Sequence, residues 1–167
     1  MQQNNIQTTK LETVQRNTKW LKKANPEDRL YFAYGSNINQ KQMAIRCPGA
    51  TPVAIAKCPK YKFVINERGV ATILKQPNTD VFGILWVITD AHETALDRYE
   101  GIKVNLYTKE MTTVYVQNNQ ITTMVYLATE KNPGSPRPGY LEGILEGIQT
   151  FNGHNDWIND VETWLRI

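Results

Sequence analysis

Two places in this 167-residue chain combine residue types that could do chemistry: the run Tyr34, Gly35, Ser36, Asn37, and a carboxylate, Glu100, set between Tyr99 and Gly101. Leu30, Tyr31, Phe32 and Ala33 read as a short buried strand ahead of the first. Gly35 allows a tight turn, and Ile38 to Arg46 carries good helix formers until Cys47 meets Pro48. Asn37 and Gln40 have the side-chain types and spacing of a capping box. A strand that runs through a turn into a helix start leaves backbone N–H groups unpaired with the positive end of the helix dipole behind them. That arrangement suits an anion or a developing oxyanion. The same residues also suit an ordinary connection capped by Asn37, and the local pattern does not choose between the two. Glu100 follows a helix expected over Ala91 to Tyr99, where the negative end of the helix dipole opposes a second negative charge. Such a carboxylate either holds its proton tightly, as a general base working near neutral pH requires, or is simply an exposed glutamate at a helix end.

Other candidates carry less. Cys47 is a conceivable nucleophile, but neither His92 nor His154 is near it in sequence, and a small buried hydrophobe is the plainer reading. Glu142 and Glu146 lie one helical turn apart on what reads as a solvated face, and Gly143 with Gly147 makes a GxxxG of little meaning outside a membrane. The chain has no GxGxxG, no GxxxxGK[ST], no HExxH and no GxSxG. Two cysteines without CxxC spacing and two well-separated histidines argue against a disulfide framework or a structural zinc site. Chemistry without cofactor or metal is therefore the simplest enzymatic expectation.

The elements that must position these residues follow from patterning. Residues 1–29 are polar and read as an N-terminal extension, with a short helix around Leu11 to Lys22, a weak basic cluster at Lys19, Lys22 and Lys23, and a linker at Asn25 to Asp28. Residues 30–167 form one domain. Beyond Leu30 to Ala33, strands are expected at Val53 to Lys57, Tyr61 to Asn66, Val70 to Leu74, Thr79 to Ile88, Leu106 to Gln117 and Gln120 to Ala128. Thr79 to Ile88 is apolar enough to be buried on both faces, and Gly83 within it marks a bulge or a close approach by another backbone. Thr89 and Asp90 are N-cap candidates, Asp90 with Glu93 has capping spacing, Ala91, Ala95 and Tyr99 share a face with Leu96, and Gly101 suits a left-handed helix stop. Asn132 to Gly139 is a stiff loop with three prolines, followed by a helix with its apolar stripe at Leu141, Ile144, Leu145 and Ile148. A last helix, with Asn155 as its cap, buries Trp157, Ile158, Val161, Trp164 and Leu165. Strands and helices do not alternate as a doubly wound sheet requires, so the class is α+β. Closing the strands into a barrel would remove exposed edges, although the sequence does not prove closure.

A formal charge of +3 with scattered basic residues offers no stripe for nucleic acid, and no apolar run approaches the roughly 20 residues that span a bilayer. A cytoplasmic protein with neither nucleic-acid nor membrane partners is expected.

FAYGSN at Phe32 to Asn37, GVATI at Gly69 to Ile73, VFGILW at Val81 to Trp86, LDRYEG at Leu96 to Gly101, and Tyr107 resemble, in order and spacing, the gamma-glutamylcyclotransferase superfamily. The resemblance implies a small mixed β-barrel of about six or seven strands with flanking helices. It implies that the Tyr34, Gly35, Ser36 and Asn37 loop holds the gamma-glutamyl part of a small-molecule substrate, that Glu100 is the acid–base residue, and that Tyr107 and Tyr140 line the pocket. The activity implied is release of 5-oxoproline and a free amine from a gamma-glutamyl compound by a monomer or homodimer without cofactors. Alternatives are a leaving group that is a gamma-glutamyl amine or glutathione, a non-catalytic binding module of the same fold, or a thiol enzyme based on Cys47.

Overall fold

In the computed structural model of the protein, residues 29–166 are described. The extension expected over residues 1–29, with its helix and linker, lies outside the described residues except for Arg29, which opens the first strand. Five strands are present: β1 (Arg29–Ala33), β2 (Thr51–Ile65), β3 (Ala71–Ile88), β4 (Tyr107–Val116) and β5 (Asn119–Ala128). The seven strands expected become five because two suspected breaks are only irregularities. Around Pro59 the β2–β3 register shifts, with Lys60 at φ 65°, and Asn78 at φ 61° bends β3 without ending it. Residues 76–79 of β3 stand opposite Lys60 alone, so the ladder shifts register there and resumes at Tyr61 and Lys75 within the same two strands.

The long β2–β3 hairpin is the frame of a closed barrel ordered β1-β3-β2-β4-β5. All pairs are antiparallel except the closing one, where β1 meets β5 in parallel at Tyr31 and Met124. Closure leaves the site loop after β1 anchored on both sides of its strand. Phe32, Ile84, Leu85 and Ile88 are fully buried; Phe82, Ile84, Trp86 and Ile88 share one face of β3, where Phe82 and Trp86 pack against His154, Trp157 and Phe151, and Leu85 is buried on the other, so the end of β3 is covered on both faces as its apolar run requires. Gly83 marks a close approach: a Cβ there would lie 2.4 Å from the Ala33 carbonyl oxygen.

Among the described residues, four α-helices surround the barrel: α1 (Gln40–Arg46), α2 (Asp90–Tyr99), α3 (Tyr140–Thr150) and α4 (Asn155–Glu162). Two expected caps move by one or two residues, and a third falls on one of its two candidates. Asn39, not Asn37, caps α1, accepting from the amides of Lys41 and Gln42, because a 3-10 turn at Ser36–Ile38 comes first. Thr89 caps α2 and its box partner is His92 in place of the Asp90–Glu93 pair. His154 replaces Asn155 as the cap of α4, accepting from the Trp157 amide. On α2 only Leu96 is buried, whereas Tyr99 is 52% exposed, so the expected Ala91–Tyr99 face is not the packed one. Asp97 accepts from the Tyr126 hydroxyl at 2.6 Å and pairs with Lys109 at 2.9 Å. Lys109 also reaches Glu93, and Arg29 joins Glu93 to Asp90. These contacts tie α2 to β1, β4 and β5, and Glu100 sits at the end of α2. No helix among the described residues is long and apolar enough to cross a membrane.

Candidate active site

Every site residue expected from the sequence lines one pocket of about 280 Å³: Tyr34, Gly35, Ser36 and Asn37 from the loop after β1, Glu100 from the end of α2, Tyr107 from the start of β4 and Tyr140 from the start of α3. Glu100 is the C-cap of α2, and Gly101 after it takes the left-handed conformation at φ 68°. The chain turns away at that point and leaves the carboxylate at the helix end facing the loop.

Hydrogen-bond chemistry fixes how Asn37 sits. Arg46, at the end of α1, can only donate, so the oxygen it reaches must be Asn37 Oδ1. Asn37 Nδ2 then donates to the Tyr31 hydroxyl at 3.0 Å and to Glu100 Oε1 at 3.4 Å. Arg46 also donates to Ser36 Oγ at 3.1 Å and to the Tyr99 hydroxyl, with its guanidinium 3.5 Å from the Tyr99 ring centre. Asn37, 2% exposed, is thus a relay between a cation and a carboxylate 63 residues away. A buried amide is tolerated only when its groups are paired in this way.

The loop is held from behind by α3. Asn39 Nδ2 donates to the Gly143 carbonyl at 2.9 Å, and a Cβ on Gly147 would come within 2.9 Å of the Asn39 nitrogen. Gly147, one half of the GxxxG read as uninformative, is therefore what lets α3 lie against the turn carrying Ser36 and Asn37. Glu146 pairs with Lys41 on the surface, away from the pocket.

Tyr107 and Tyr140 straddle the peptide of Ala71. The Tyr107 hydroxyl donates to the Ala71 carbonyl at 3.0 Å, which leaves its oxygen free to accept. The Tyr140 hydroxyl accepts from the Ala71 amide at 2.9 Å and from the Ser36 amide, which leaves its proton to donate. Burial pushes the Tyr140 phenol up to about 12 and raises Tyr107 further, so both are neutral hydrogen-bonding groups at ordinary pH. Tyr34 is buried and donates to the Tyr126 carbonyl, so it braces the loop from below.

Burial lifts the Glu100 carboxyl from 4.5 to about 7, against the opposing pull of Arg46 and then Arg68. Removing a carboxylate from water disfavours its charged form, and neighbouring cations recover only part of that cost. The group therefore takes and gives a proton near neutrality. Cys47 is 1% exposed, its thiol faces the His92 carbonyl, and burial raises its pKa, so the buried-hydrophobe reading holds. The sequence reading missed Arg46, Tyr31, Tyr126, Arg68 and Arg137, all of which face or brace the pocket. Only Tyr31, three residues before the YGSN run, and Arg46, one helix after it, lay close enough in sequence to be suspected.

The family described as gamma-glutamyl cyclotransferase, AIG2-like, matches residues 31–143, a span that takes in all of these groups. The gamma-glutamylcyclotransferase of Bos taurus is 30% identical over 140 residues, covering 77% of this chain and 74% of the relative. The Homo sapiens enzyme of the same name is 30% identical over 134 residues, covering 74% and 71%. A solved structure of a gamma-glutamyl cyclotransferase superposes with a TM-score of 0.77 at 27% identity, covering 83% of this chain and 88% of that one. Fold, pocket and sequence agree, and the chain belongs to the gamma-glutamyl cyclotransferase, AIG2-like family.

Proposed function

We propose that the protein is a gamma-glutamylcyclotransferase that releases 5-oxoproline and a free amine or amino acid from a small gamma-glutamyl compound, with Glu100 as its acid–base residue. The observation that carries the proposal is a carboxyl with a pKa of about 7, lining the same pocket as the Tyr34 to Asn37 loop and 3.4 Å from Asn37 Nδ2. A binding pocket has no need of such a group, whereas proton transfer at neutral pH does.

In the reaction, the Glu100 carboxylate takes a proton from the substrate's α-ammonium. The freed amine attacks the γ-carbonyl carbon, a C–N bond forms, and the carbonyl becomes a tetrahedral oxyanion. As the oxyanion collapses, the bond to the leaving nitrogen breaks and Glu100 returns its proton to that nitrogen. The remaining extra proton on the ring nitrogen passes to the departing amine or to solvent. No water is consumed, and every substrate atom ends in one of two products. The attack is intramolecular, so holding the glutamyl chain in its ring-forming conformer contributes several kcal/mol in order of magnitude. Tyr107, with its oxygen free to accept, suits the ammonium. Tyr140, with only its proton to give, suits the oxyanion or the α-carboxylate, as do backbone N–H groups of the Tyr34 to Asn37 loop.

With this reading go the expectations, carried from the sequence, of a cytoplasmic monomer or homodimer that works without a cofactor, nucleic acid or membrane. The test is release of 5-oxoproline from gamma-glutamyl amino acids by the wild type and by Glu100→Gln. The variant should bind substrate and lose turnover by on the order of a hundred- to ten-thousandfold, and wild-type kcat/KM should fall below an acid limb near the Glu100 value of about 7. Near-normal turnover by Glu100→Gln removes Glu100 from the mechanism. Tight binding by a wild type that turns nothing over makes the domain a binding module.

A further inference from the structure

We propose that Arg68 and Arg137 form an anion subsite that selects gamma-glutamyl compounds whose leaving amine carries a carboxylate, over those whose leaving amine carries none. The inference rests on the cyclotransferase reading and adds a leaving-group specificity to it.

Both arginines line the Glu100 pocket, where Glu100 is the only acidic residue among the described ones. The Arg68 NH1 atom is buried and has no hydrogen-bond partner. A cationic nitrogen taken from water without an acceptor is costly, and buried polar groups are otherwise nearly always paired. An anion arriving with the substrate would supply the missing acceptor.

The backbone that carries Arg68 is rigid. Asn66, fully buried, accepts from the amides of Arg68 at 3.0 Å and Val70 at 3.4 Å, and donates to the Glu130 carbonyl at 3.0 Å. The Gly69 carbonyl accepts from the Arg137 amide at 3.0 Å, and the Arg68 carbonyl accepts from Arg137 Nε at 2.7 Å. The turn between β2 and β3 is thereby stapled to the proline-rich loop before α3. The Nε contact fixes the Arg137 side chain beside Arg68 and leaves its terminal NH2 groups for a ligand. Both arginines line the same pocket, and a planar guanidinium matches the planar, bidentate demand of a carboxylate.

The charges of the site assign the anion. A gamma-glutamyl amino acid has two carboxylates, and the pocket has two separate cationic provisions. Arg46, behind the loop, is committed to Ser36, Asn37 and Tyr99, and its charge backs the loop that receives the glutamyl half. Arg68 and Arg137 come from a different part of the chain. Arg46 and Arg68 both act electrostatically on Glu100, the group that must reach the leaving nitrogen; with Arg46 committed to the loop, Arg68 and its unpartnered NH1 are left for an anion on the leaving-group side. A leaving amine with a cationic side chain and no carboxylate would meet like charge there.

The test compares γ-glutamyl-alanine with γ-glutamyl-ethylamide, which differ only by the leaving group's carboxylate. Wild-type kcat/KM should favour the alanine compound by roughly ten- to a hundredfold, the range for a charge-assisted hydrogen bond, and mainly through KM. Arg68→Gln should bring the two within about threefold of each other, and Arg68→Lys should restore part of the ratio. Both substrates are assayed on one preparation, so any loss of folded protein cancels. A wild-type ratio near one, or a ratio unchanged in Arg68→Gln, overturns the subsite and would assign Arg68 to the glutamyl α-carboxylate or to Glu100 alone. Calorimetric binding of the same pair to Glu100→Gln separates this inference from the catalytic one. Tighter binding of the alanine compound supports the subsite whatever the turnover, and equal binding refutes it.

Discussion

Replacing Glu100 by glutamine should stabilise the protein, by an amount that grows with pH. Folding lifts the Glu100 carboxyl from 4.5 to about 7, chiefly by burial, with Arg46 and Arg68 opposing. A group whose folded value lies above its unfolded one contributes fully below the unfolded value and loses that contribution as pH rises through the folded value. In the wild type, therefore, every step in pH from 4.5 to about 7 favours the unfolded chain, where Glu100 ionises freely, and above about 8 the penalty is complete. Glutamine has the same shape, can still accept from Asn37 Nδ2, and does not titrate.

Integrating the linkage between pH 5 and pH 8 for these two values gives a growth of about 2.5 kcal/mol in the advantage of Glu100→Gln over the wild type. For a chain of this size that is a shift of roughly 5–10 °C in the difference between the two midpoints. The assay is denaturant or thermal unfolding of both proteins at both pH values. Packing differences between Glu and Gln are independent of pH, and all other titrating groups are common to the pair, so both cancel in the difference of differences. A difference that is the same at pH 5 and pH 8, or that shrinks, would show that Glu100 is solvated in the folded protein. The acid–base argument built on its burial would then fall with it.

Tyr140→Phe removes a hydroxyl that accepts from two backbone amides, Ala71 and Ser36, and should cost about 1–3 kcal/mol of stability by leaving them unpaired, together with a drop in kcat that exceeds any loss of folded protein; denaturation and turnover on the same sample measure both. Gly147→Ala sets a Cβ within 2.9 Å of the Asn39 nitrogen and of Ile38 Cγ2, so α3 must move off the site loop; about 1–3 kcal/mol should be lost in an unfolding titration, and a variant as stable as the wild type would show that the contact is slack.

Apolar patterning made the barrel strands legible because a strand's side-chain period survives a bulge, and for the same reason it overcounted them. Pro59 and Asn78 have the signature of turns, yet the pairing of β2 with β3 shifts register there and resumes on the far side. Caps were legible only as types. Asn37 and Asn39 are equally good capping residues, and spacing to Gln40 favoured the first, since nothing local shows that a 3-10 turn will intervene. That turn matters for the site: with the cap supplied by Asn39, the Asn37 amide is released from the helix end and can be buried between Arg46 and Glu100. The right residue was found for a different job.

Glu100 and Arg68 mark the limit from opposite sides. Glu100 could be suspected because a carboxylate at a helix C-terminus is locally unfavourable and so invites a reason. Arg68 breaks no local rule, because an arginine in a turn is ordinary. Its buried, unpartnered NH1 arises only when barrel closure and the proline-rich loop bring residues near 68 and 137 to the rim of the Glu100 pocket. Local disfavour can be read in a sequence, whereas an unmet pairing demand created by tertiary contact cannot. The proton-transfer step was therefore open to inference from residue types alone, and the choice of leaving group had to wait for the fold.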